Sequence, residues 1–155
     1  MAIKEHVRIG ILHGPNLNML GQREVALYGN RSFEDFLVPL KSQFKEIDIL
    51  YYQSNSEGAL IDTLQQWKEE VDGIIINAGA YTHTSLALAD CLAYVKVPIV
   101  EVHMTNIYAR EEIRRHSYLS PYCKAVITGM GLEGYVYALM FLQKQLNVSI
   151  IAENI

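Results

Sequence analysis

The chain has 155 residues, half of them apolar, and a formal net charge of −4. That length fits a single domain with a sizeable core, and the acidic balance argues against binding nucleic acid through bulk positive charge. No apolar stretch is long enough to span a bilayer, and Met1-Ala-Ile-Lys-Glu-His6 lacks the apolar centre of a signal peptide, so a cytoplasmic protein with no membrane partner is expected.

In chain order, a short apolar run at 8–12 reads as a strand, and Gly, Pro and Asn residues follow it. Ser32-Phe-Glu-Asp35 then opens a helix with an N-cap serine and two acids in the first turn. A second strand is expected at 47–52 and a helix at 56–71, with Leu60, Leu64 and Trp67 at helical spacing. Next come a strand at 73–77, a helix at 84–94, a strand at 99–103 and a short charged helix at 110–115. A strand at 125–128 and a helix at 132–146 complete the pattern. The strands are short and rich in Ile and Val, which suits burial on both faces. Their alternation with helices implies a five-stranded parallel sheet covered on both sides, joined by right-handed crossovers. One domain over 1–155 is expected, with its core at about 7–146 and a tail at 147–155 of no assigned role. Cys91 and Cys123 lie far apart without metal-ligand spacing and read as reduced thiols.

Ligands of open α/β sheets bind beyond the carboxyl ends of the strands. The residues there are Asn16, Arg23 and Tyr28 after the first strand, and Gln53-Ser-Asn-Ser-Glu-Gly58 after the second. The third is followed by Asn77-Ala-Gly-Ala-Tyr-Thr-His83. The fourth carries Glu101, His103, Met104 and Thr105, with Arg110 and Arg114 beyond. Tyr28 and Arg23 fall on what reads as a loop. A guanidinium there would favour a phenolate, a base strong enough for carbon acids; the same pair also suits a packing tyrosine beside a solvated arginine. Glu101 and His103 are two apart on a strand and point the same way. A neighbouring carboxylate favours protonated imidazole and fixes its tautomer, which makes a proton donor; a hydrogen-bonded strand-end histidine would look alike. Arg110 and Arg114, four apart, share a face if their segment is helical, and suit an anionic or hydroxylated ligand or a solvated basic face.

Several chemistries lack their parts. No histidines or cysteines have metal-ligand spacing. No lysine follows a strand's carboxyl end, so a Schiff base has no evident nucleophile, and no serine sits in a nucleophile elbow. Gly129-Met-Gly-Leu-Glu-Gly134 matches the dinucleotide fingerprint, but no complete second βαβ half follows. Close helix–strand packing explains its glycines better.

The blocks Gly14-Pro-Asn-Leu-Asn-Met-Leu-Gly21, Arg23-Glu24, Tyr28-Gly29, Gln53 to Gly58, Asn77 to Ser85, Glu101-Val-His103 and Arg115-His-Ser-Tyr-Leu-Ser-Pro121 resemble type II 3-dehydroquinate dehydratase in order, from about Val7 to Leu146. The resemblance implies a flavodoxin-like three-layer sandwich and a small-molecule substrate. The implied reaction is an anti elimination of water from 3-dehydroquinate through an enolate, giving 3-dehydroshikimate in the shikimate pathway or in quinate catabolism. It implies no metal, flavin, nicotinamide or other cofactor, and a homododecamer built as a tetramer of trimers. Tyr28 would take the C2 proton, with Arg23 lowering its pKa. Asn16 would position the water or enolate oxygen, and His103, held by Glu101, would protonate the departing C1 hydroxyl. Asn77, the Met104 backbone and Thr105 would grip the carboxylate, and His83 and Arg114 would bind ring hydroxyls. Asp90 would reach in from a neighbouring subunit. Arg110 and the 22–28 loop would belong to a closing lid.

Three positions depart from the family's usual residues: Thr105 stands for Ser, Val25 for Pro, and His13 for Asn. Thr105 keeps its hydroxyl, and Val25 is expected to loosen the lid. Two other classes fit the architecture. A flavin- or nucleotide-binding module would need hydroxyl residues in the first loop, and residues 13–21 have none. A receiver-like signalling domain would need an Asp where Asn77 ends the third strand.

Overall fold

A computed structural model describes residues 6–22, 25–28 and 30–147, with the backbone alone at Leu27 and Tyr28. Five parallel strands, β1 (Val7–His13), β2 (Ile47–Gln53), β3 (Gly73–Asn77), β4 (Ile99–His103) and β5 (Ala125–Thr128), stand in the order β2-β1-β3-β4-β5. That is the doubly wound, flavodoxin-like order, with its switch point between β1 and β3. The helices are α1 (Val25–Tyr28), α2 (Phe33–Gln43), α3 (Glu57–Glu70), α4 (Leu86–Tyr94) and α5 (Glu133–Gln145).

Side-chain alternation divides the core into two layers. Ile9 and Ile11 of β1, Ile75 of β3, and Val100 and Val102 of β4 meet α2 and α5. Leu12, Ile74, Ile76 and Ile99 meet α3 and α4 on the other side. The register sets His13 beside Asn77 across β1 and β3, and Glu101 beside Ile76 across β3 and β4. His13 and Asn77 therefore face α2 and α5, whereas Glu101 and His103 face the α3/α4 layer.

Three helices start after a serine, Ser32 being the cap expected from the sequence. Ser32, Ser56 and Ser85 each accept the backbone N–H three residues on, satisfying a donor that the helix cannot. Pro39 lies inside α2 and supplies no N–H to the Asp35 carbonyl. The Arg31 guanidinium donates to that oxygen instead, at 3.2 Å.

Three expectations need correcting. Residues 107–114 form no continuous helix but two 3₁₀ turns, Ile107–Ala109 and Glu112–Arg114, with Arg110 extended between them. The segment is too short to nucleate an α-helix unaided, and the Asn106 side chain accepts the Tyr108 N–H to close the first turn. Residues 25–28, read as loop, form the single turn α1. The third helix also begins later than expected, after a 3₁₀ turn at Gly79–His83. Arg23 and the tail beyond 147 lie outside the described residues.

Gly10 lets Trp67 lie flat on the sheet: a Cβ there would stand 2.4 Å from Cε3 and Cζ3 of the indole. Gly10→Ala should cost about 1–3 kcal/mol, the range for overpacking a dense core. Gly58 is helical and meets little but the Ser56 hydroxyl at 3.9 Å, so Gly58→Ala should raise stability by up to about 1 kcal/mol. Urea unfolding midpoints should move in opposite directions for the two variants.

Candidate active site

A cleft of about 150 Å³ opens at the carboxyl ends of β1, β3 and β4, at the switch point. Its wall brings together Asn16, Asn77, His83, His103, Met104, Thr105, Arg110 and Arg114, all expected from the sequence. Glu101 lies fully buried behind His103 rather than on the wall. Asp90 is exposed on α4, away from this cleft. Arg23 and the Tyr28 side chain lie outside the described residues. The segment 53–58, grouped with the site by its position after β2, forms no part of the wall. Its role is support: Asn55 Oδ1 accepts the Asn16 N–H at 3.0 Å, and Gln53 Nε2 donates to the Gly14 carbonyl at 3.2 Å. These contacts hold Asn16 in a left-handed conformation at φ 68°, one that Asn tolerates better than most residues.

Glu101 and His103 form the most constrained pair. His103 Nε2 donates to Glu101 Oε1 at 2.6 Å. The Ser117 hydroxyl donates to the same oxygen at 2.7 Å, and the Ser120 hydroxyl donates to Oε2. Burial would push the Glu101 pKa up, but the His103 and Ser120 hydrogen bonds, the charge of His103 and the Ser117 hydrogen bond outweigh it and leave the carboxyl below its ordinary range. Glu101 therefore stays ionised and accepts Nε2–H, which leaves Nδ1 as the His103 ring nitrogen not engaged with the carboxylate. Ser117 and Ser120 carried no assigned role in the sequence. They look like turn formers beside Pro121, and nothing local ties them to a carboxylate 16 and 19 residues away.

His83 stacks on His103 with ring centroids 6.1 Å apart. Its Nδ1 donates to the His116 carbonyl at 2.7 Å, so a neutral ring presents Nε2 as an acceptor for a hydroxyl. Burial lowers the His83 pKa, against the His116 hydrogen bond and helped by His103 and Arg114. Arg114 donates to Glu111 at 2.6 Å, and Arg110 lies 3.7 Å from the same residue. One exposed carboxylate thus orients both guanidinium groups, replacing the shared helix face that their spacing suggested.

The glycine-rich 129–134 segment is committed to the protein itself. Gly129 N–H donates to the His103 carbonyl at 3.1 Å and Gly131 N–H to the Met104 carbonyl at 2.9 Å. Thr128 Oγ1 donates to the Thr105 carbonyl at 3.0 Å and accepts the Ile107 N–H at 3.3 Å. A Cβ on Gly134 would sit 3.2 Å from Val102, so this glycine serves close helix–strand packing. The amides that would cradle a dinucleotide phosphate instead clamp the loop after β4. Among the described residues, no group of three or more His, Cys, Asp or Glu side chains is placed to hold a metal.

Fold and cleft define a flavodoxin-like α/β protein with a buried carboxylate–histidine pair and two arginines gathered at the sheet's switch point. A model of the Dehydroquinase class II family matches residues 7–143. The 3-dehydroquinate dehydratase of Gemmatimonas aurantiaca is 47% identical over 142 residues, covering 90% of this chain and 93% of that protein. The catabolic 3-dehydroquinase of Verticillium alfalfae is 44% identical over 143 residues, covering 91% and 95%. The crystal structure of type II dehydroquinase from Butyrivibrio crossotus superposes with a TM-score of 0.85 at 44% identity, covering 90% of this chain and 99% of that one. The chain belongs to the class II dehydroquinase family.

His13 is fully buried, and burial lowers its pKa from 6.5 to about 3. Between those values the unfolded chain binds a proton that the folded state excludes. Stability therefore rises with pH across this window and is lost as pH falls below 6.5. His83 acts in the same direction, whereas the lowered carboxyl of Glu101 contributes only at lower pH, nearer the 4.5 of an ordinary glutamate. Acidification from neutrality to about pH 5 should remove about 2 kcal/mol through His13. His13→Gln, which cannot titrate, should abolish most of that loss, as read from urea midpoints at the two pH values.

Proposed function

We propose that this chain is a 3-dehydroquinate dehydratase, eliminating water from 3-dehydroquinate to give 3-dehydroshikimate. One observation carries the reading: the buried Glu101–His103 pair opens on a cleft that also holds Asn77, His83, Thr105, Arg110 and Arg114, in a chain of the class II dehydroquinase family. A ketone activates the C2 hydrogen, but that hydrogen is only weakly acidic, so the base must be strong and yet ionised near neutrality. Tyr28 as a phenolate beside Arg23 meets both conditions. Its proton abstraction gives an enolate, whose oxygen is stabilised by a water held at Asn16. His103 delivers the Nδ1 proton to the C1 hydroxyl, which leaves as water while Glu101 neutralises the imidazolium. Asn77, the Met104 backbone and Thr105 hold the substrate carboxylate. Nε2 of His83 accepts from a ring hydroxyl, with Arg114 beside it, and Arg110 closes with the 22–28 lid.

The same reading makes the working enzyme a dodecamer of four trimers, in which Asp90 completes a neighbour's cleft from α4. Biosynthetic and catabolic use both run through this one reaction. Among the described residues no helix is long and apolar enough to cross a membrane.

Purified protein mixed with 3-dehydroquinate should produce the ultraviolet absorbance of a conjugated enone without added metal or coenzyme; no absorbance change at any enzyme concentration would refute the assignment. Tyr28→Phe should lower kcat by a factor on the order of 10² to 10⁴, as for loss of a general base, and leave KM little changed. Arg23→Gln should show activity that climbs with pH toward the ordinary tyrosine pKa of about 10, while the parent levels off earlier. Light scattering should give a mass well above that of one chain, and Asp90→Ala should raise KM. A fully active monomer would end the shared-site proposal.

A further inference from the structure

Beneath the cleft floor lie three groups that the reaction does not use: His13, Tyr51 and Tyr135. His13 Nε2 is 2.7 Å from the Tyr135 hydroxyl, and His13 Nδ1 is 3.2 Å from the Tyr51 hydroxyl. Asn77 Nδ2 donates to the same Tyr135 oxygen at 2.9 Å, and Asn77 Oδ1 accepts the Gly79 N–H at 3.2 Å. His13, Tyr135 and Asn77 are all buried.

Proton counting gives this chain one direction. If the Asn77 amide were flipped, Nδ2 would face the Gly79 N–H, donor against donor. Gly79 therefore fixes Oδ1 on its own side and turns Nδ2 to Tyr135. The Tyr135 oxygen accepts from Nδ2, so its own proton goes to His13 Nε2. Nδ1 of His13 then carries the ring's proton and donates to Tyr51. Burial keeps this imidazole neutral down to about pH 3, so Nε2 remains an acceptor throughout the working range. One Nδ2 hydrogen of Asn77 is committed to Tyr135, which leaves the other for the cleft that Asn77 lines.

We infer that Tyr135 and His13 are positioning residues that lock the Asn77 amide with a donor toward the cleft, tuning the site for the carboxylate of its substrate. The inference rests on the function proposed above. Its mechanistic content is that Tyr135 acts through Asn77, and His13 through Tyr135. The lock is equally useful to bound substrate and to the transition state, because the carboxylate does not react, so its loss falls on KM rather than kcat.

Tyr135→Phe should raise KM about five- to tenfold, the worth of one neutral hydrogen bond, with kcat within about twofold. His13→Leu should do the same, whereas His13→Gln, whose amide oxygen can accept the Tyr135 proton, should restore a near-parental KM. In an Asn77→Ala background, Tyr135→Phe should add nothing further, because the residue it acts through is gone. Additive effects, or a folded Tyr135→Phe enzyme with parental KM, would overturn the inference. If Tyr135→Phe fails to fold, equal KM values for the Leu and Gln variants at His13 would do so. An inert parent enzyme would sink the proposed function instead. The lock is then judged from crystal structures of the parent and the His13→Leu variant: Asn77 Nδ2 should leave the Tyr135 oxygen in the variant, and an unmoved amide would refute it.

Discussion

Glu101 stands in the middle strands of the sheet with no contact with water. A lone carboxylate there would cost many kcal/mol and would take up a proton instead of staying charged. Three donors make its charge tolerable: one ring nitrogen of His103 and the hydroxyls of Ser117 and Ser120. That one requirement organises a large part of the molecule. It fixes the His103 ring and tautomer, and it draws the 117–120 turn across the end of β4. The same turn carries Leu119, which is fully buried in the α3/α4 layer. Loss of either serine would leave a charged oxygen short of a donor, so these hydroxyls help fix the Glu101–His103 pair although they stand behind the cleft.

The cleft is shaped by backbone as much as by side chains. The loop after β4 carries Met104 and Thr105, and it is tied to the start of the β5–α5 connection by Gly129, Gly131 and Thr128. The loop after β1 is tied to the loop after β2 through Asn55 and Gln53. Each loop that faces the ligand is thus braced by one that does not. Such bracing gives loop residues the rigidity that substrate positioning demands.

Much of this was legible in the chain. The five strands announce themselves as short Ile- and Val-rich runs, and their alternation with capped helices leads to the parallel sheet and to its carboxyl edge. The pairing of Glu101 with His103 follows from a spacing of two on a strand. What escaped are contacts between residues remote in sequence. Ser117 and Ser120 have no local signature of carboxylate ligation. Tyr135, in the last helix, has no motif around it that singles it out, yet its hydroxyl reaches Asn77 58 residues away. His13 looked like a bare departure from the family's usual Asn, and only the register that sets it beside Asn77, with Tyr51 and Tyr135 around it, gives it a role. Residues 110–114 misled because charges four apart mimic a helix face, whereas Arg110 is extended ahead of a single tight turn and the shared partner Glu111 brings the arginines together.

The parity of the strands has a consequence for how such a site can diverge. Asn77 and His13 hang from the face of the sheet that meets α2 and α5, and Glu101 and His103 hang from the face that meets α3 and α4. The two groups are therefore upholstered by different cores, and the sheet itself is the partition between them. Repacking the first core bears directly on the seats of His13 and Asn77; repacking the second bears on those of Glu101 and His103. The two pairs are thus seated in separate compartments of one small chain, open to change one at a time.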